Sequence, residues 1–404
     1  MRILFLLEDD FPETGACTCL INNIIFCGGL QKKAEAIEVL AIKSKYTPLK
    51  KETINSVTVH NGVLMSKVSN QQYKKIFMKH PVKALMGFAE KIFLKLDKKA
   101  INIRSSHSIE KDLKRISAED FDVVVAVMGR FEVASAIMNY KIKHPKVKVV
   151  LYQVDPCLSN DFFDSSTYKE RLDFEKKLYE ISDRIITTPV LLEESKQIYP
   201  QKITDKMVSM EFPNVVPVKA SDINKNDFIR CLFTGNIYGN FRNPQYTLRL
   251  FDKSESSIKL EVIGSVKPEL KKEFELHNVL YHGPKSLDET RKELLSADIL
   301  VNIGNKMLNQ VPSKLFEYIS YGKPIVNVCK NRNCPTLPYL AKYPYALNLF
   351  EEEENFEEQA KKLNSFILEN YQKRMLPDET TKAFETCTPQ YCANQMLEIF
   401  KSLT

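Results

Sequence analysis

An α/β fold built from two doubly wound parallel-sheet units is what this 404-residue sequence predicts, on three observations. The length exceeds the roughly 250 to 300 residues at which a single core stops growing. Short uninterrupted apolar runs alternate with helical patterns, as they do in parallel sheets covered on both faces. The alternation breaks once, at 212–226 (FPNVVPVKASDINKN), where two prolines and a polar stretch interrupt it, and then restarts. The expected domains are therefore 1–215 and 216–387, with residues 388–404 packing back on the first as a final amphipathic helix.

Each element follows from its local pattern. The apolar run Arg2 to Leu7, followed by Glu8, Asp9, Asp10, Pro12 and Gly15 and then an apolar stretch from Cys17 to Phe26, reads as strand, loop and helix. Further strands are expected at Glu38 to Ile42, Ser56 to His60, Asp122 to Val127, Lys148 to Gln153 and Arg184 to Thr187. A helix at Lys169 to Ser182 would place Leu172, Phe174, Leu178 and Ile181 on one face. After the break come strands at Phe228 to Phe233, Lys259 to Ile263, Val279 to His282, Ile299 to Ile303, Pro324 to Val328 and Ala346 to Leu349. Between them lie helices at Pro244 to Phe251, Pro268 to Leu276, Leu287 to Ser296, Ser313 to Tyr321 and Asn355 to Leu368. The last helix, Pro389 to Ser402, carries Tyr391, Met396, Ile399 and Phe400 on or near one face.

Composition narrows the function classes. With 44% hydrophobic and 27% charged residues, 23 Phe, 17 Tyr and no Trp, the chain is that of an ordinary folded protein rather than a disordered one. Nine cysteines show no Cys-x-x-Cys spacing, so buried reduced thiols are expected rather than zinc or a disulfide framework. No run approaches the ~18 apolar residues of a membrane span, and the opening apolar run is too short for a signal peptide; the expected location is the cytoplasm. The net charge of +7 is concentrated between residues 73 and 104, where nine basic residues face two acidic ones. The rest is balanced, which argues against a nucleic-acid partner. In that segment Leu85, Phe88, Ile92, Leu96 and Ile103 recur at helical spacing beside Lys91, Lys95, Lys98 and Lys99. Such a stripe can face a core, or lie on an anionic membrane surface at the inner face of the membrane.

The stretch with most chemistry is 312–326, PSKLFEYISYGKPIV. Pro312 suits a helix start, Ser313 can cap the first turn, and Gly322 and Pro324 end the helix. A strand, loop and helix start in this order can hold a phosphate, with Lys314 adding charge. Glu317, one turn in, could accept hydrogen bonds from paired hydroxyls such as those of a ribose.

MRILFLLEDDFPETGA at the start, FPNVV before the break, FTGNIYGNFRNP at 233–244, and SADILVNIGN followed by PSKLFEYISYGKPIV recur in the order seen in one family. On these motifs the chain resembles glycosyltransferases of the GT-B fold, especially the large retaining family that builds bacterial surface polysaccharides. The resemblance implies two Rossmann-like domains facing a cleft, an acceptor side in the first and a donor side in the second. It implies a hexosyltransferase using a nucleotide sugar as co-substrate, with UDP the expected nucleotide, no separate cofactor, and a glycan or lipid-linked acceptor. By the same resemblance Glu317 holds the donor ribose, while Ser313, Lys314 and Leu315 at the helix start hold the diphosphate. Gly235 and Asn236 form a glycine turn followed by a basic contact, Arg242, which would stabilise charge on the departing diphosphate. Pro284 and Lys285 lie near the nucleobase, and His282 is a packing residue. Gly15 and Ala16 form a small-residue loop close to the transferring sugar, flanked by Asp9, Asp10 and Glu13 as contacts for acceptor hydroxyls.

Two departures from the family pattern stand out. Asn309 replaces a second glutamate that helps bind the sugar, and no histidine follows the central strands of the first domain. Without such a base, retention with the departing phosphate taking the proton is favoured, while Asp155 and Asp10 keep inversion open. Asp120 and Asp122 precede an apolar strand, where a metal-binding pair should follow one, so no metal is expected. Alternative readings are a sugar-nucleotide epimerase of the same fold and a non-catalytic partner of a transferase.

Overall fold

The computed structural model describes residues 1–9, 11–12, 16–43, 51–63, 106–129, 131–156, 167–219, 227–237, 239, 242–352 and 355–404. The chain divides into two compact units, Met1–Pro213 with Pro389–Thr404, and Asn214–Thr388. Asp10, Glu13, Gly15 and the basic segment 73–104 lie outside the described residues. Among the described residues no helix is long and apolar enough to cross a membrane.

The first unit carries strands β1 (Arg2–Leu7), β2 (Ala36–Lys43), β3 (Lys51–Ile54), β4 (Val57–Val63), β5 (Val123–Met128), β6 (Val149–Gln153), β7 (Arg184–Thr187) and β8 (Met207–Ser209). Helices α1 (Ala16–Asn22), α2 (His107–Arg115), α3 (Phe131–Lys143), α4 (Tyr168–Ile181) and α5 (Pro189–Ile198) are interspersed with them. The sheet order is β3-β4-β2-β1-β5-β6-β7-β8, and every pairing is parallel except β3 with β4. In β1, β5 and β6 successive residues are buried on both faces, which is why these strands read as continuous apolar runs. The edge strand β3 is largely exposed, and its sequence KETI carries no apolar alternation to announce it. Asn55 and Ser56 both take positive φ in the tight turn into β4, so the strand expected from Ser56 begins at Val57. The expected helix over Cys17 to Phe26 is α1 followed by a wider π turn, Asn23–Cys27.

Helix α4 buries Phe174 and Leu178 of the expected face, but its inward face is rotated from the one periodicity suggested. Arg171, Phe174, Glu175, Leu178 and Tyr179 are buried, whereas Leu172 and Ile181 are only partly so. The reason is a buried polar network: Glu175 accepts from Gln153 Nε2 at 3.0 Å, Tyr179 Oη at 2.7 Å and Tyr199 Oη at 2.7 Å. Replacing Glu175 by Ala should remove three hydrogen bonds from this buried network and cost about 3 kcal/mol, seen as a lower urea midpoint. An unchanged midpoint would show that the network adds nothing. The C-terminal helix Pro389–Lys401 belongs to this unit, with Met396, Ile399 and Phe400 buried; Tyr391, expected on that face, is exposed.

The second unit holds β9 (Ile229–Thr234), β10 (Ile258–Ile263), β11 (Val279–Gly283), β12 (Ile299–Ile303), β13 (Ile325–Cys329) and β14 (Ala346–Phe350). Its helices are α6 (Gln245–Asp252), α7 (Leu287–Ser296), α8 (Lys314–Ser320), α9 (Phe356–Asn370) and α10 (Pro377–Ala383); the expected helix after Pro268 is a 3-10 segment, Pro268–Phe274. The order is β11-β10-β9-β12-β13-β14, all parallel. Asn302, Asn327 and Asn348 share one register on β12, β13 and β14. Their amides join into a ladder, Asn302 Nδ2 to Asn327 Oδ1 and Asn327 Nδ2 to Asn348 Oδ1, each 2.7 Å. Lys323, 2% exposed, donates to the carbonyls of Leu295 at 2.6 Å and of Ala297, which close the end of α7.

Candidate functional site

In a doubly wound sheet the crevice for a ligand opens where strand order reverses, outside the carboxyl ends of the two central strands. In the second unit that point lies between β9 and β12. Their pairing covers only Cys231 with Ile299 and Leu232 with Leu300, so the strands part before Thr234 and Ile303.

Gly235 follows directly, with φ +151°, and its neighbour Gly264 has φ +145°. A Cβ on Gly264 would stand 2.0 Å from the Gly235 carbonyl oxygen, so only glycine allows the two chain ends to approach this closely. A Cβ on Gly235 would lie 3.3 Å from Arg242 Nη1, which puts the guanidinium over the turn. Arg242 also lies 5.7 Å from the Phe233 ring centre and donates from Nη2 to Asn305 Oδ1 at 2.8 Å across the crevice. Beside Asn305, at the carboxyl ends of β12 and β13, lies a small pocket lined in part by Asn243, Thr247, Lys306 and Glu351. Asn236 is engaged locally, its Oδ1 accepting from Ser265 N at 3.1 Å.

Helix α8 is tied to the same point. Tyr318, fully buried, accepts from Thr234 N at 2.8 Å, one residue before Gly235. Burial pushes its phenol above the ordinary range, so it stays neutral and serves as a hydrogen-bonding group. Lys314 Nζ pairs with Glu317 Oε2 at 2.9 Å on the partly exposed side of the helix. The cap expected at the helix start does not form. Ser313 has helical backbone angles and makes no side-chain cap, and its carbonyl accepts from Asn214 Nδ2 at 3.0 Å. Leu315 is fully buried and its N–H donates to Pro312 O at 3.0 Å. Asn309 is half-buried in the loop before α8.

At the end of β11, Pro284 follows Gly283, whose carbonyl accepts from Gly264 N at 3.0 Å. Lys285 is turned toward α7 and pairs with Glu293 at 2.5 Å. Glu293 also binds Arg230, which makes a two-pronged contact with Glu261 at 2.8 and 2.7 Å. Burial alone would raise the Glu261 carboxyl, but the Arg230 guanidinium overrides it and holds the acid below its ordinary range. His282 contacts the same Glu261 at 3.1 Å, in line with a packing role.

In the first unit the corresponding reversal lies between β1 and β5. The Glu8 carboxylate lies against Gly129 there, 1.9 Å from where a Cβ would stand. Ala16 opens α1, and the next residue, Cys17, has its thiol pushed well up by burial and by the charges of Asp155, Glu8 and Asp9. Glu8 and Asp9 follow β1 and Asp155 follows β6, so all three leave the carboxyl edge of this sheet. Asp120 and Asp122 sit at the opposite edge, accepting from Arg2.

No protein-family model and no curated protein matches the chain. Solved structures do. The lipopolysaccharide outer core galactosyltransferase WaaB is 13% identical, covers 100% of both chains and superposes with a TM-score of 0.57. Anabaena HepE, solved with UDP and glucose, is 12% identical, covers 100% of both chains and has a TM-score of 0.64. A putative UDP-N-acetylglucosamine 2-epimerase from Listeria monocytogenes is 12% identical, covers 99% of this chain and 96% of its own, and has a TM-score of 0.56. At these identities the likeness is one of architecture, and together with the two parallel sheets it means that the chain has the GT-B fold.

Proposed function

We propose that the protein is a glycosyltransferase that moves a hexosyl group from a UDP-sugar to a glycan or lipid-linked acceptor in cell-surface polysaccharide synthesis. The observation that carries this reading is Arg242, held over the Gly235 turn at the mouth of the parted β9 and β12 strands. A cation fixed there suits a diphosphate, whose negative charge grows as the bond from phosphate oxygen to anomeric carbon breaks. The UDP seen with HepE and the outer-core substrate in the name of WaaB support the nucleotide and the pathway class.

In this reading the second unit is the donor side. Glu317 takes the ribose hydroxyls, Lys314 and Arg242 the diphosphate, and the backbone near Pro284 the base. The first unit supplies acceptor contacts from Asp9, Asp10 and Asp155. Transfer proceeds with retention and without a metal: the acceptor oxygen bonds to the anomeric carbon on the face from which the phosphate leaves, and that phosphate takes the hydroxyl proton. Residues 73–104 hold the chain against an anionic membrane surface. The epimerase of the same fold favours a second reading, in which the same donor site serves isomerisation of the sugar.

Incubation with a panel of nucleotide sugars separates the two. Slow donor hydrolysis or transfer, with Glu317→Ala losing UDP affinity at unchanged melting temperature, is the expected result. The partly exposed Lys314 pair contributes little to folding, so a binding loss in that variant is separable from unfolding. Sugar isomerisation would favour the second reading, and UDP affinity unchanged by Glu317→Ala would remove Glu317 from the site.

A further inference from the structure

The structure assigns Asn305 as the positioning residue for Arg242, an inference that rests on the donor-site reading above. Arginine on a loop has a long side chain with many rotamers, and an anion site gains from it only if one of them is selected beforehand. Three features select it here: the Phe233 ring at 5.7 Å, the missing side chain at Gly235, and the Asn305 carboxamide oxygen at 2.8 Å from Nη2. The last is a directional hydrogen bond, and it runs from the turn after β12 to the loop after β9.

Asn305 is itself well placed to act as a fixed point. It is 6% exposed, and the residue before it, Gly304, is pinned by donating to Val328 O at 2.8 Å. A Cβ on Gly304 would lie 3.1 Å from that carbonyl, so the turn after β12 lies close against β13. The chemistry of the side chain matters as much as its place. A carboxamide oxygen orients a guanidinium without cancelling its charge, whereas a carboxylate at the same spot would hold it in a salt bridge and lower the attraction for a diphosphate. Asn305 therefore aims Arg242 without itself adding a countercharge to it.

This makes a distinction that a purely structural role would not. If Asn305 merely held the loop, Asn305→Asp, which keeps the acceptor and the shape, would be milder than Asn305→Ala. As a positioning residue for an anion site the order reverses. Calorimetric titration of UDP into the full-length protein should show binding about tenfold weaker for Asn305→Ala and weaker still for Asn305→Asp. On an Arg242→Ala background, Asn305→Ala should cause no further loss, since the two side chains act as one unit. Asn305→Asp binding UDP like the wild type, or an undiminished Asn305→Ala loss without Arg242, would overturn the assignment. If Arg242→Ala alone leaves UDP binding intact, or the wild type binds no UDP, the donor-site reading itself fails. The near-isosteric aspartate variant keeps the comparison available should the alanine variant not fold.

Discussion

Arg242→Ala should weaken UDP binding by about a hundredfold, on the order of 2 to 3 kcal/mol, while the unliganded protein melts close to the wild-type temperature. The size follows from removing a charged, forked donor aimed at a dianion in a partly water-excluded crevice. The small stability cost follows from its position, since Arg242 is only half-buried on the loop beyond β9. Arg242→Lys should not restore affinity. An ammonium can keep the charge but cannot reach Asn305 and a diphosphate with parallel N–H groups. Titration calorimetry on the three proteins checks this, and affinity kept by the alanine variant would place the diphosphate elsewhere.

A large stability effect is expected at Lys323. Lys323→Ala should cost about 3 kcal/mol, because two carbonyls at the end of α7 lose their donor and a void is left in a closed site. Lys323→Met fills most of that void and should cost less. Burial, and next the nearby charge of Arg374, lowers the ammonium from its ordinary 10.5 to about 7. The unfolded chain therefore binds the extra proton between pH 7 and 10.5, and stability rises with pH across that window. The contribution is complete above the unfolded value and lost as pH falls through the folded one. Denaturant unfolding between pH 7 and 9 should show a slope on the order of 1 kcal/mol per pH unit from this group, absent in Lys323→Met. Equal slopes in both proteins would mean that Lys323 does not titrate there.

Where a segment's own residues decide its structure, the sequence was legible. Arg2–Leu7, Ile299–Ile303 and Leu287–Ser296 were expected at the bounds observed, and the structure adds a Ser286 and Glu289 capping box at the start of the last. Strand β3 escaped because KETI pairs on one side only and needs no apolar pattern. The inward face of α4 escaped because Glu175 is buried by partners brought from β6 and from Tyr199. The same division runs through the candidate site. Arg242 and Glu317 were identifiable as residue types in motifs, but Asn305 and Tyr318 acquire roles only through contacts 63 and 84 residues away in sequence. The Ser313 cap misled because a Pro-Ser start looks like one until backbone angles are known. The Lys285 pair with Glu293 was not legible because that partner lies in the next helix.

The asparagine ladder across β12, β13 and β14 acts as a length gauge. Side chains on a strand alternate between faces, so a slip of β13 by one residue would carry Asn327 to the opposite face, and a slip by two would move it off both neighbours. Apolar runs such as IVNVC tolerate such shifts at modest cost, since valine and isoleucine resemble each other; three interlocked amides do not. The strand ends are thereby set at one height, and a tolerance that packing alone would leave at a full residue step is reduced to the length of a hydrogen bond where Asn305 leaves the sheet.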